Sequence, residues 1–340
     1  MGGEGVVDPP QEPGLPRPVQ PGLCPIGAAG VTERDLGVLD HAGTADPADK
    51  SELALVHIDI IARGAHGHGH VPMVYPAAAV RLASFLPPGA DGPVAGEVRG
   101  EQVVAFASGE TVRDRLASED RTRADGRSWP LDSVTLLAPV PDARAVYGIG
   151  LNYADHIAET GGQRPAQPIV FTKVPGALAP GGGPIRCPPA VHRLDYEGEL
   201  CVVVGAEGRA GGFCVADDVS ARDLQGREPQ WTRAKGADTF CPFGPWVTTA
   251  DEVADPHRLR LRTWVNGELR QDSNTDQLIF GVPELLAFIG ATCTLAPGDL
   301  VLTGTPSGVG MGMEPPRFLG SGDRVRIEIE GLGAIEHLVA

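Results

Sequence analysis

The sequence predicts an α+β fold that is mainly β. Three observations carry this. Short runs with strand alternation or solid apolar character recur from about residue 80 to the end of the chain. Only a few stretches carry helical signals, and they are short. No βαβ unit repeats along the chain, which argues against a doubly wound sheet.

Residues 1–77 are read as a disordered or poorly structured extension, because "DPPQEPGLPRPVQPG" and its surroundings lack periodicity. Within them "ELALVHIDII" could form a strand, and alternating His66, His68 and His70 could hold a metal loosely. A flexible linker explains that histidine tract better, because no carboxylate or cysteine stands beside it. A small β-rich N-terminal domain is placed at residues 78–140. There "PVAGEVRGEQVVAFA" reads as two strands with a turn near Arg99-Gly100, and "TVRDRLASEDRTRADG" as a helix running into a loop.

The main domain is placed at residues 141–340. Its strand candidates are "ELCVVVG", "GFCVADDV", "LRLRTWVNG", "DLVLTGT" and "DRVRIEIEG", with a hairpin turn at Asn266-Gly267. One short helix is "NYADHIAET", stopped by Gly161-Gly162, and a second starts at Pro283.

The chain of 340 residues carries 44 acids against 28 bases, a net charge of −16. That argues against nucleic acid or an anionic membrane as partner. The six cysteines form no CxxC pair, and several sit in apolar runs, so buried reduced thiols are expected. No apolar run reaches the length of a membrane span and no signal-peptide pattern opens the chain, so the expected location is the cytoplasm.

The chemistry centres on "LDYEGELCVVVG". Alternation puts Asp195, Glu197 and Glu199 on one strand face, and the run Leu200–Val204 behind them reads as buried on both sides. Asp217-Asp218 end the next strand candidate. Carboxylates without Cys or His suit a hard cation, Mg²⁺, Mn²⁺ or Ca²⁺; a solvated strand end with surface acids is the competing reading. His156 and Glu159, three apart on the short helix, share a face and could form an oriented general base or a plain surface pair. Lys173, Arg222, Gln225 and Lys235 could form an anion pocket or ordinary surface salt bridges. The loop "LTGTPSGVGMG" lacks GxGxxG spacing. It reads as a tight turn whose backbone N–H groups and Thr305 hydroxyl approach a ligand.

The stretches "GIGLNYADHIAE", "PIVFTKVPGAL", "LDYEGELCVVVG", "ADDVSARDLQ", "QWTRAKGADTFCPFGPW", "VNGELRQDSNTDQLIF" and "LAPGDLVLTGTPSGVG" together resemble the fumarylacetoacetate hydrolase family. They run in family order from about residue 145 to 340. The resemblance implies a mixed β-sandwich roll with a short lid helix, a homodimer and one divalent metal per site, Mg²⁺ or Mn²⁺. It implies Glu197, Glu199 and Asp218 as metal ligands and His156 with Glu159 as a water-activating dyad. It further implies Lys235 beside metal and substrate, and Arg222, Gln225, Thr305 and Lys173 as substrate-binding residues. One departure is Asp217, where the family commonly has Asn. That extra acid is expected to add negative charge to the site or to face solvent.

The implied activity is metal-dependent hydrolysis of a C–C bond in a 2,4-dioxo acid, through an enolate. Decarboxylation of an oxaloacetate-like 2-oxo acid, or isomerisation of a 2-hydroxy-dienoate, fits the same residues. A ligand-binding protein that keeps the fold without turnover is the reading from another class. The expected partner is a small anionic 2-oxo acid.

Overall fold

A computed structural model describes residues 79–340. The expectations for the strand 52–61, the histidine tract and the extension 1–77 as a whole lie outside the described residues.

Twelve strands build one large mixed sheet. Its main path runs Ser128–Pro130, Gln102–Ala105, Val94–Arg99, Arg81–Leu86, Cys241–Thr249, Ala210–Asp217, Gly198–Val204, Leu300–Leu302, Val146–Gly150 and Ile169–Lys173. Most neighbours are antiparallel; Leu300–Leu302 pairs with Val146–Gly150 in parallel, as Leu178–Pro180 does with Cys241–Thr249. A second sheet has the order Glu268–Asn274, Arg260–Val265, Arg324–Ile329, Gly333–Leu338. The Asn266-Gly267 hairpin closes between its first two strands, where the sequence placed it.

The N-terminal strands have an apolar cluster of their own, with Phe85, Val98, Val103, Val134 and Leu136 gathered against Trp246 of the main sheet. Their strand Arg81–Leu86 hydrogen-bonds directly to Cys241–Thr249, Arg81 opposite Thr248. The helix Val112–Ser118 starts at a capping box, with Thr111 and Asp114 satisfying each other's backbone N–H.

Gly198–Val204 lies at the centre of the large sheet and is buried along its whole length, because strands flank both its edges and Leu200–Val204 packs into the main core. This is the solid apolar run of the sequence, and it behaves as a strand enclosed on both faces. The second sheet crosses close beneath its start. A Cβ on Gly198 would stand 2.5 Å from Thr263 Oγ1, so only glycine admits that approach.

The helix Ala154–Thr160 ends, as expected, at Gly161 in the left-handed conformation. The second helix spans Val282–Gly290, with Pro283 in its first turn.

Candidate metal centre

The strand carrying the three alternating acids is interrupted. Leu194–Asp195 pairs with Ser220–Ala221 in a separate two-stranded ribbon, and the long strand restarts only at Gly198. Glu197 and Glu199 converge on Asp218, while Asp195 stays outside that trio and meets the site through Arg222, which also binds Glu197. Asp195 is fully buried, and its carboxylate accepts hydrogen bonds from Arg222 Nε at 2.8 Å, Gly310 N at 2.8 Å and Met311 N at 3.0 Å. It anchors the neighbouring loop.

Glu197, Glu199 and Asp218 are each no more than 6% exposed, and each offers an oxygen within 4.8 Å of the other two. Asp218 comes from the turn after Ala210–Asp217, and its backbone N–H donates to Glu197 O at 2.9 Å, which ties the two acidic segments together. Three cations close round them. Lys235 Nζ donates to Glu197 Oε2 and Asp218 Oδ2, both at 2.6 Å. Lys173 Nζ pairs with Asp218 Oδ1, and Arg222 Nη1 with Glu197 Oε1 at 2.6 Å. Gln225, half-buried, accepts from Arg222 Nη1 at 3.0 Å.

The electrostatics sort the acids. Burial opposes ionisation of Glu197, yet Arg222 and Lys235 together hold its carboxyl well below the usual range. Glu199 goes the other way. Burial, then the carboxylates of Asp218 and Glu197, push it well above the usual range. Lys235 and the Gly304 N–H favour its charge but do not offset them. Lys235 loses from burial but gains more from Asp218 and Glu197, so its ammonium form is favoured.

A divalent cation fits this set. The donors are all carboxylate oxygens, the chemistry hard cations select. The buried carboxylates Asp195, Glu197, Glu199, Asp217 and Asp218 outnumber the buried cations Lys173, Arg222 and Lys235, and the pull of Lys235 on Glu199 does not offset its burial and its two acidic neighbours. Among the described residues no other trio of His, Cys, Asp or Glu side chains converges this way.

Of the two expectations for Asp217, facing solvent fails, and an added carboxylate beside the ligand trio holds. Fully buried, it accepts from Glu197 N at 2.8 Å through Oδ1 and pairs with His337 Nε2 at 2.9 Å through Oδ2.

The lid helix brings His156 and Glu159 together, with His156 Nδ1 3.0 Å from Glu159 Oε2. Glu159 Oε1 accepts from Gly308 N at 2.8 Å, and Asp155 Oδ2 from Ser273 Oγ at 2.6 Å, so both ends of the helix are fastened. The loop after Leu300–Leu302 differs from its expected use. Its N–H groups meet the protein's own carboxylates: Gly304 N reaches Glu199 Oε2 at 2.7 Å, Gly308 N reaches Glu159, and Gly310 and Met311 reach Asp195. Buried carboxylates demand donors, and a glycine loop supplies several at once. Thr305, 5% exposed, donates to Gly198 O at 3.0 Å and accepts from Gln271 Nε2 at 2.8 Å.

At Gly308 φ is +101°, and a Cβ would stand 2.0 Å from Arg270 O. Gly308→Ala is expected to cost about 2 kcal/mol or more, and it should loosen the lid helix as well. Thermal melting together with proteolysis at the helix checks this; an unchanged melting temperature would show that the loop tolerates a side chain.

Spacing gave no notice of two further pins. Asn152 binds Phe280 N through Oδ1, and Phe280 O and Thr303 O through Nδ2. Gln271 Oε1 accepts from Gly198 N, while its amide N–H₂ donates to Thr305 Oγ1 and Pro306 O. Both hold the backbone that carries the site. The thiols of Cys201, Cys214 and Cys241 are free and buried, and burial pushes Cys241 up to about 12, which makes that thiol a poor nucleophile.

The sequence profile of the fumarylacetoacetate (FAA) hydrolase C-terminal domain matches residues 145–340, more than half of the chain. The chain belongs to the fumarylacetoacetate hydrolase family. Within this family it is 46% identical to the mitochondrial oxaloacetate tautomerase Fahd2a of Rattus norvegicus over 217 residues, 61% of this chain and 69% of that protein. Among solved structures it is similar to a 2-hydroxyhepta-2,4-diene-1,7-dioate isomerase from Mycobacterium marinum, with 37% identity, a TM-score of 0.65 and coverage of 77% of this chain and 98% of that one. It is also similar to a fumarylacetoacetate hydrolase from Exiguobacterium antarcticum, with 33% identity, a TM-score of 0.69 and coverage of 77% and 99%. These neighbours share the mainly β fold of the family. Among the described residues no helix is long and apolar enough to cross a membrane.

Proposed function

We propose that this protein tautomerises or isomerises a small 2-oxo dicarboxylic acid, interconverting its enol and keto forms. The observation that carries this reading is the buried trio Glu197, Glu199 and Asp218, ringed by Lys173, Arg222 and Lys235 and approached by the His156–Glu159 pair. A divalent cation held by the trio would supply the Lewis acidity that favours the enolate of a 2-oxo acid.

The remaining work falls to the chain's own groups. In the enol-to-keto direction the enol oxygen loses a proton and the adjacent carbon gains one; nothing else is exchanged. The reaction therefore asks for a group that gives and takes protons. Glu159 engages His156 Nδ1 and fixes the ring, leaving Nε2 to move the proton. Among the described residues Arg222 Nη2 is buried without a hydrogen-bond partner, and it is suited to a substrate carboxylate. Lys235 holds Glu197 and Asp218 in place and adds positive charge beside the substrate. Tautomerase and isomerase names among similar proteins support this choice.

A second reading is hydrolysis of an acylpyruvate. Its support is the same His156–Glu159 hydrogen bond, which would equally orient a base for water.

One panel of assays separates them. With Mg²⁺ or Mn²⁺ present, the loss of enol absorbance is followed for oxaloacetate and for a 2-hydroxy-dienedioate, and cleavage is followed for acylpyruvates. Faster enol loss without cleavage is the expected result. Acylpyruvate cleavage with no acceleration of enol loss would overturn the tautomerase reading in favour of hydrolysis.

A further inference from the structure

The break in the acid strand leaves a gap in the ladder. Pairing with Ala210–Asp217 starts at Gly198 opposite Asp217, so the N–H of Glu197 has no strand partner. The Asp217 side chain fills that role, with Oδ1 at 2.8 Å from Glu197 N. Its other oxygen would be a buried, uncompensated acceptor without a donor. His337 supplies one from the second sheet, through Nε2 at 2.9 Å. His337 is 1% exposed, and among the described residues its Nδ1 has no hydrogen-bond partner, so the ring's polar contact there is to Asp217.

We infer that His337 and Asp217 form a positioning pair that sets the main chain at Glu197 and thereby the geometry of the metal ligands. The chain of contacts is continuous. His337 holds Asp217, Asp217 holds the Glu197 N–H, and the Glu197 carbonyl accepts from Asp218 N, the next residue along from Asp217. Two of the three ligands thus hang on one buried carboxylate whose orientation is fixed from the other sheet. The choice of Asp217 requires a donor opposite it. An amide there would present its own N–H and would need an acceptor. Aspartate and histidine therefore act as a matched couple, and neither touches the substrate or the cation. Outer partners of this kind tune affinity by orienting the groups that bind.

The inference rests on the reading that Glu197, Glu199 and Asp218 hold a divalent cation, and the experiment separates the two. Mn²⁺ binding is measured by calorimetry on the full chain for the wild type, His337→Leu and His337→Gln, with the melting temperature of each metal-free protein. His337→Leu removes the donor. Gln places an amide N–H at similar reach and should restore it. The expected result is an Mn²⁺ Kd raised roughly 10-fold or more in His337→Leu and within about threefold of wild type in His337→Gln. At saturating Mn²⁺, the KM of His337→Leu should stay near wild type.

A wild-type Kd in His337→Leu would overturn the positioning role while leaving the metal reading intact. A wild type that binds no Mn²⁺ would overturn both. A second measurement needs no variant. ¹⁵N spectra of the wild-type histidines are expected to show one buried ring protonated at Nε2. Finding that nitrogen unprotonated would overturn the pair, because Asp217 would then face a lone pair.

Discussion

Glu199→Gln protein is expected to bind no Mn²⁺ at concentrations that saturate the wild type, and yet to be at least as stable as the wild type in chelator. The first half follows from its place in the trio. Losing one of three carboxylate ligands should cost more than about 100-fold in affinity, since loss of an outer partner alone costs roughly 10- to 100-fold. The second half follows from its electrostatics. Burial and two neighbouring carboxylates raise the Glu199 carboxyl well above its unfolded value. A raised group gives its full stabilisation at a pH below the unfolded pKa and loses it as pH rises through the folded one. At neutral pH and above, the metal-free wild type therefore carries a penalty that glutamine avoids, while the glutamine oxygen still accepts from Gly304 N. The melting-temperature difference, variant minus wild type in chelator, should grow as pH is raised from 5 to 8. In the wild type, metal affinity should rise over the same interval, because the bound form needs Glu199 ionised. A variant that melts well below the wild type across that range would show that Glu199 is held by contacts these charges do not describe.

His156→Ala is the second large effect. Enol–keto conversion is expected to fall roughly 10²- to 10⁴-fold in kcat, the range of a positioned acid–base group, with the Mn²⁺ Kd unchanged. The two readouts matter together. His156 sits on the lid helix and bonds Glu159, outside the ligand trio, so its loss should leave the cation's donors intact. Glu159→Gln should follow at smaller cost, since Gly308 N can still bind the amide oxygen while the charge that orients the imidazole is gone. A His156→Ala enzyme with wild-type kcat would remove His156 from proton transfer and point to Lys235 instead.

Much of this was legible in the residues, for physical reasons that differ from one to the next. The buried strand after Glu199 was readable because five apolar residues in a row leave no polar face to present to water. Glu197 and Glu199 were readable as a pair because hard-cation chemistry demands acids and the strand period brings them together, whereas the choice of Asp218 over Asp217 came from the family resemblance. Asp195 was readable as an acid beside the trio, but its capping of the glycine loop was not, because alternation is a local rule and the strand breaks after it. The role of that loop was inverted for the same reason. The sequence announces a set of free N–H groups but not the distant acids that use them. Gln271 and Asn152 were silent because a side-chain amide that pins backbone has no characteristic spacing. His337 was half visible. In "GAIEHL" it alternates in phase with Ile335, which is buried, so period two already points it inward. Its partner could not be read, because Asp217 lies 120 residues away in another sheet.

The edge-to-edge joint at Arg81 and Thr248 bears on how this protein can be cut. A fragment beginning at residue 141 would carry the whole family domain and every ligand of the proposed cation. It would also lay open the Val247–Thr248 end of the Cys241–Thr249 edge, which Leu178–Pro180 does not reach, and strip Trp246 of the apolar neighbours that cover it. An unprotected strand edge beside an exposed aromatic recruits other chains and invites aggregation. The residues from 79 onward thus act as the guard of that edge, and the boundary suggested by the family match is a poor place to trim the protein.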